Sequence, residues 1–203
     1  MDEAIALYAE IETDMLNMAQ WRDKSERDIW FDQAAFFGDY CGALADAGLY
    51  AEALEKGNLA LRFMKQGSFT TLKYIYYNMG NAFLFQKDYT QACQWYERAL
   101  EGAGYYYTIV SYLINYGIAL YFLGQKDKAR ETFLLAIKES KDTKYNKSFE
   151  PFFYMEKLCA QRGEEKEGGK YRKMYLSRLQ KYSETALFYA VKNMEDEGEE
   201  SFV

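Results

Sequence analysis

The sequence predicts an all-α protein built as a solenoid of antiparallel helix pairs, and three observations carry that prediction. The stretch from Lys73 to Gly104 holds two amphipathic segments around a polar turn at Gln86-Lys87-Asp88-Tyr89. Tyr76, Met79, Gly80 and Phe83 recur at helical spacing in the first segment, as do Ala92, Tyr96 and Ala99 in the second. The next stretch then repeats the first. Leu113, Tyr116, Gly117, Leu120, Ala129, Phe133 and Ala136 follow Tyr76, Met79, Gly80, Phe83, Ala92, Tyr96 and Ala99 at a constant offset of 37 residues. Finally, Pro151 is the one proline in 203 residues, so the commonest helix breaker is nearly absent. Small residues at Gly80, Ala92 and Ala99 let two helices approach closely, and each pair leaves outer faces that need neighbours.

Taken in order, residues 2–19 read as a helix with Ile5, Tyr8, Ile11, Met15 and Met18 on one face and Asp2 and Glu3 at its positive end. It is expected to cap the first repeat, since a solenoid must shield its end layers. Arg22 to Asp28 is a polar turn or exposed helix start. From Ile29 to Ala47, Trp30, Phe31, Ala34, Phe37, Tyr40 and Leu44 mark a helix ended by Gly48, with its partner from Ala51 to Met64. Lysine-rich residues 141–147 form a connection, Pro151 suits the first turn of the next helix, and Gly163 ends it. Gly168-Gly169 should weaken the chain before a last helix at about residues 170–194. Glu195 to Glu200 begins an acidic tail, 195–203, expected to stay unfolded.

The pattern resembles the tetratricopeptide repeat, a helix–turn–helix unit of about 34 residues. Its small eighth, twentieth and twenty-seventh places fall on Gly80, Ala92 and Ala99, then on Gly117, Ala129 and Ala136. Clear units lie near 34–67, 73–104 and 110–140, and a degenerate unit or cap at 149–194 completes a single domain over 1–194. In the first unit Ala53 and Ala60 hold their places and Cys41 takes the small site. In the last, Phe152, Met155 and Cys159 fit the first helix, but Gly168 stands where alanine is expected. The resemblance implies a right-handed solenoid of three to four repeats with capping helices at both ends.

Composition narrows the function. No histidine is present, which removes the commonest general base and metal ligand together. Carboxylates such as Glu164-Glu165 are not paired for acid–base work, and no glycine loop sits between a strand and a helix. No enzyme, metal or cofactor is therefore expected. Residues 141–181 carry eleven Lys/Arg against six Asp/Glu, yet the chain's net charge is −6 and no reading motif for nucleic acid occurs. No apolar run reaches the ~18 residues of a membrane span. Cys41, Cys93 and Cys159, odd in number and widely spaced, read as reduced core thiols of a cytoplasmic protein. The 20 tyrosines read mainly as fillers of inter-helix layers, hydroxyls reaching the rim.

By resemblance, the first helix of each unit lines a concave groove. That places Tyr74, Tyr77, Asn78, Asn81, Leu84 and Phe85 there in one unit, and Ser111, Ile114, Asn115, Ile118, Tyr121 and Phe122 in the next. Asparagine at the sixth place of both, Asn78 and Asn115, could hold an extended peptide backbone, because a carboxamide donates and accepts. It could equally bridge neighbouring repeats. The first unit has Asp39 there, and the fifth places are Gly38, Tyr77 and Ile114, so the family's basic clamp for C-terminal carboxylates is missing. The expected role is an adaptor or chaperone binding an extended or apolar segment. The alternative is a peptide-sensing regulatory domain similar to Gram-positive pheromone receptors. Self-association through the N-terminal helix is a further reading.

Overall fold

A computed structural model describes residues 2–18, 25–64, 69–101, 109–140 and 148–179. Among these residues there are nine helices and no strand: α1 (Asp2–Leu16), α2 (Glu26–Asp46), α3 (Tyr50–Phe63), α4 (Phe69–Phe85), α5 (Tyr89–Leu100), α6 (Ile109–Phe122), α7 (Lys126–Ser140), α8 (Glu150–Gln161) and α9 (Glu165–Leu179). They form two compact units, residues 1–105 and 106–203. The first holds α1 and the pairs α2/α3 and α4/α5; the second holds α6/α7 and α8/α9.

All four hairpins turn by one device. The last carbonyls of a helix need partners, and a residue in the left-handed region folds the chain back to supply them. Gly48 (φ 84°), Lys87 (65°), Gly124 (83°) and Gly163 (70°) take that position. The next amide in each case donates to a carbonyl five residues back: Leu49 to Leu44, Asp88 to Phe83, Gln125 to Leu120 and Glu164 to Cys159, all at 2.9 Å. Three of the four turns use glycine, and Lys87 adopts the strained conformation with a side chain attached. Helix starts are capped locally. Ser25 Oγ accepts from the Asp28 amide at 3.2 Å, and Asp88 Oδ1 from the Gln91 amide at 3.0 Å. Pro151 lies in the first turn of α8.

Inside the pairs, close approach falls on the predicted glycines. A Cβ on Gly80 would stand 2.6 Å from Tyr96 Cε1, and one on Gly117 would stand 2.5 Å from Phe133 Cε1. The first pair inverts this arrangement. There the gap is on the second helix, at Gly57, and is filled by Met79 Cγ at 2.7 Å and Cys41 Sγ at 3.2 Å. The glycine has changed helix, which is why Cys41 fits a site that holds glycine elsewhere.

Helix α1 caps its unit as expected. Tyr8 stacks on Tyr40 with centroids 5.0 Å apart and meets Phe36 edge-on at 5.3 Å. Lys56 of α3 pairs with Glu12 at 2.5 Å, and Gln33 donates to the Met15 carbonyl at 2.7 Å. In the second unit α7 is tied to the α8–α9 corner by Arg130, which bonds Glu164 at 2.7 Å and lies 3.6 Å from Glu167, while Arg162 pairs with Asp127.

Two expectations need correction. Gly168-Gly169 does not precede the last helix: α9 starts at Glu165 and runs through both. Gly168 occupies the position of Ala53, Ala92 and Ala129, its amide donating to the Glu164 carbonyl, and a Cβ there would come within 3.2 Å of the Cys159 Cβ. An alanine there would need its neighbour to give by a few tenths of an ångström. Nor do tyrosine hydroxyls all reach the rim, since Tyr96 is wholly buried. The connection at 141–147, glycines 67, 102 and 104, residues 180–194 and the acidic tail lie outside the described residues.

Candidate functional site

The ten residues expected to face the groove fall into three groups. Asn78, Asn81, Ile114, Ile118 and Tyr121 are buried; Tyr77, Phe85, Asn115 and Phe122 are half-buried; Tyr74 is 37% exposed.

In the first unit the buried asparagines have structural partners. Asn78 Nδ2 donates to the Gly38 carbonyl on α2 at 2.9 Å, bridging adjacent pairs. Gly38 and Gly42 make the seat, for a Cβ on Gly42 would lie 3.1 Å from that same nitrogen. Asn81 Oδ1 accepts the Tyr96 hydroxyl at 2.8 Å. A buried hydroxyl without an acceptor costs roughly 1–3 kcal/mol, so Asn81 accompanies Tyr96. One repeat later the corresponding places hold Ile118 and Phe133, an apolar pair that needs no such bond. That paired change is the sequence signal that would have assigned Asn81 to the core.

Tyr74 remains open on α4. Its hydroxyl is hydrogen-bonded to Asp39 of α2 and to Asn78 of its own helix, and Tyr8 of α1 lies within electrostatic range. Loss of water raises the Asp39 carboxyl above its ordinary value although the Tyr74 hydroxyl bond lowers it. Desolvation raises Tyr74 and Tyr8 as well, and the Asp39 charge adds to both. In the sequence Asp39 interrupts the asparagine row; in the structure it interacts with Tyr74.

In the second unit Tyr121 packs into a ring cluster with Tyr154 at 5.0 Å and Phe122 at 5.5 Å, and its hydroxyl oxygen accepts from Gln161 of α8 at 3.2 Å. Phe133 in turn stacks on Tyr154, centroids 5.4 Å apart and planes 3° from parallel. Ile114 and Ile118 are buried, 5% and 1% exposed. No helix among the described residues is long and apolar enough to cross a membrane.

Comparison with known proteins agrees with this architecture. Residues 73–138 match the tetratricopeptide repeat family profile. The fold is similar to that of MamA (19% identity, TM-score 0.60, 89% of each chain covered). It is also similar to the apo form of RapI (16% identity, TM-score 0.70), where the match covers 88% of this chain and 64% of that one. BtubC from P. vanneervenii aligns at 16% identity and TM-score 0.64, over 90% of this chain and 75% of that one. No curated protein sequence matches the chain. Such a scaffold is typically non-catalytic and serves protein–protein interaction. The Gly80–Tyr96 and Gly117–Phe133 crossings, the shared turn geometry and the profile match identify residues 73–138 as tetratricopeptide repeats, in a chain whose fold is similar to that of the helical solenoids above.

Proposed function

We propose that the protein is a non-catalytic adaptor or chaperone that holds an extended or apolar segment of a partner protein against its first helices. The observation carrying this reading is Tyr74. A large aromatic side chain stays more than one-third exposed on α4, its hydroxyl fixed by Asp39 and Asn78, so that it costs little further ordering when a ligand packs on it. Tyr77, Phe85, Asn115 and Phe122, half-buried on the first helices of their own units, add contact area. Asn78, Asn81, Ile114, Ile118 and Tyr121 support these helices from within rather than touching a partner. Three free, buried thiols suit a reducing cytoplasm.

The test places a photo-reactive benzoylphenylalanine at Tyr74 and, separately, at the exposed Glu55 of α3, in the native host. A discrete adduct from position 74 alone supports the proposal; adducts from position 55 alone, or equally from both, overturn it. Asn78→Ala is unsuitable for this purpose, since breaking its bond to Gly38 should lower unfolding free energy by about 1–3 kcal/mol. Urea denaturation checks that figure.

A second reading, a peptide-sensing regulatory domain, draws on the fold likeness to RapI. A sensor would bind a short free peptide by itself, which calorimetry with apolar peptides would register.

A further inference from the structure

Helices α1 and α9, the first and last among the described residues, each leave one charged face open. On α1, Ile5, Tyr8 and Met15 pack inward against the first core. The outer side carries Glu3, Leu7, Glu10 and Asp14, spaced by four, three and four and lying within about 60° of one another around the helix. All four are exposed, Leu7 to 56%. Residues 1–21 hold no lysine or arginine, and Glu12, on the inner side, is the acid that pairs with Lys56. On α9, Gly168 and Tyr175 are buried, and the outer side carries Lys166, Lys170 and Lys173, all exposed and again within about 60°. Met174 (49% exposed) and Leu176 (40%) border that row. Glu165 and Glu167 lie to its sides, Glu167 toward Arg130. Among the described residues, no ion pair or hydrogen bond engages the side chains of Glu3, Glu10, Asp14, Lys166, Lys170 or Lys173. Lys166, Gly169, Lys170 and Lys173 are also the four corners of a hole that can receive a side chain from a facing helix. Gly169 leaves that hole without one wall. Glycine is unfavourable inside a helix, and nothing among the described residues lies within 4 Å of a Cβ there, so packing within the chain does not call for it.

We propose that α1 of one copy of the protein docks on α9 of a second copy, with Leu7 seated in the hole at Gly169 and Glu3, Glu10 and Asp14 set among Lys166, Lys170 and Lys173. Three negative charges then meet three positive ones, and Leu7 gains apolar contact with Met174 and Leu176. Charge also decides against the symmetric pairings. Two α1 faces would oppose carboxylates to carboxylates, and two α9 faces lysines to lysines. Because the paired faces differ, the contact is heterologous: copies join head to tail in an open chain or, where the rotation closes, a ring. Exposed ion pairs contribute little each and are screened by salt, so the association is weak and salt-dependent. The contact uses neither Tyr74 nor the first helices of the repeats, so it holds or fails independently of segment binding.

Sedimentation velocity on the full chain, over a concentration series, reads the contact. The wild type should associate as concentration rises, and about 1 M sodium chloride should reverse this. Glu3→Lys with Glu10→Lys, and separately Lys170→Glu with Lys173→Glu, should each weaken self-association more than about tenfold, because the docked faces then oppose mainly like charges. Mixed in equal amounts, the two variants should associate about as tightly as the wild type, since the altered face of each meets its complement on the other. A wild type that stays monomeric at every concentration overturns the contact, as does a mixture of folded variants that stays apart. Association abolished by the α1 substitutions alone would place α1 against its own copy. Association abolished by the α9 substitutions alone would place another acid on the lysines, such as the run at 195–200. Either result overturns the head-to-tail contact. Circular dichroism melts establish that the variants fold, and all four positions are exposed. Wild-type association that ignores salt overturns the contact on the unaltered protein, whatever the variants do.

Discussion

Alanine in place of Gly117 puts two effects in opposition at one atom. In an exposed helix interior the change is favourable by about 1 kcal/mol, because glycine gives up more backbone freedom on folding. At Gly117 the new methyl would stand 2.5, 2.8 and 2.9 Å from three carbons of the Phe133 ring. The ring has nowhere to go. It is wholly buried and stacked on Tyr154, so relief requires α6 and α7 to move apart. Overpacking of this kind costs about 1–3 kcal/mol, and the rigidity of the stack argues for the upper end. The net expectation for Gly117→Ala is a loss of about 2 kcal/mol. Gly169→Ala supplies the control within the same unit, since nothing lies within 4 Å of a Cβ there. It should gain about 1 kcal/mol. Urea unfolding followed by circular dichroism measures both, and their difference isolates the steric cost at about 3 kcal/mol because the propensity gain cancels. Phe133→Leu in the Gly117→Ala background should recover part of the loss. If Gly117→Ala stabilises as Gly169→Ala does, the close crossing of α6 and α7 is wrong, and the repeat argument built on it fails.

Lys87→Gly should stabilise the chain by about 1 kcal/mol in the same assay, because it relieves a left-handed residue at φ 65° in a turn where the other three hairpins use glycine. Burial raises the Glu150 carboxyl despite bonds from the Phe149 and Glu150 amides and the nearby Arg178 charge. The native state therefore holds that proton more tightly than the unfolded chain, and the stability it contributes, complete below the ordinary value of 4.5, is lost as pH rises through the raised one. Glu150→Gln cannot ionise, so its melting temperature should gain on wild type as pH rises over that window; a flat difference would refute the burial. The Cys41 thiol, pushed up to about 12 by burial, and the buried Cys93 and Cys159 should release almost no colour from Ellman's reagent in the native protein and three equivalents in urea.

Helix pairing was legible in the sequence because it depends on residue size at fixed spacing, and size is written in the residue type. Gly80 and Gly117 announce their crossings, and Gly48 and Gly163 their turns. Other features depend on two residues at once. Gly57 is intelligible only with Cys41 and Met79, and Gly168 only with Cys159. Read singly, Gly57 carries no signal and Gly168 reads as a weak point. The start of α9 was harder for a different reason: the last unit repeats too weakly to check a single reading against.

The functional residues were less legible because equivalence of place is not equivalence of role. Asp39, Asn78 and Asn115 hold the same place in three successive repeats. Asn78 is spent on the Gly38 carbonyl because Gly38 and Gly42 leave room for its carboxamide. Those glycines are not repeated; the same two places of the second repeat hold Tyr77 and Asn81. Asp39 departs furthest. Its charge would be costly with no water and no partner, and it persists on an open edge, with a tyrosine hydroxyl turned toward it. A repeat protein keeps its helices in register through the residues that recur. Residues that do not recur, such as Asp39 where the next two repeats have asparagine, are free to differ in what they touch.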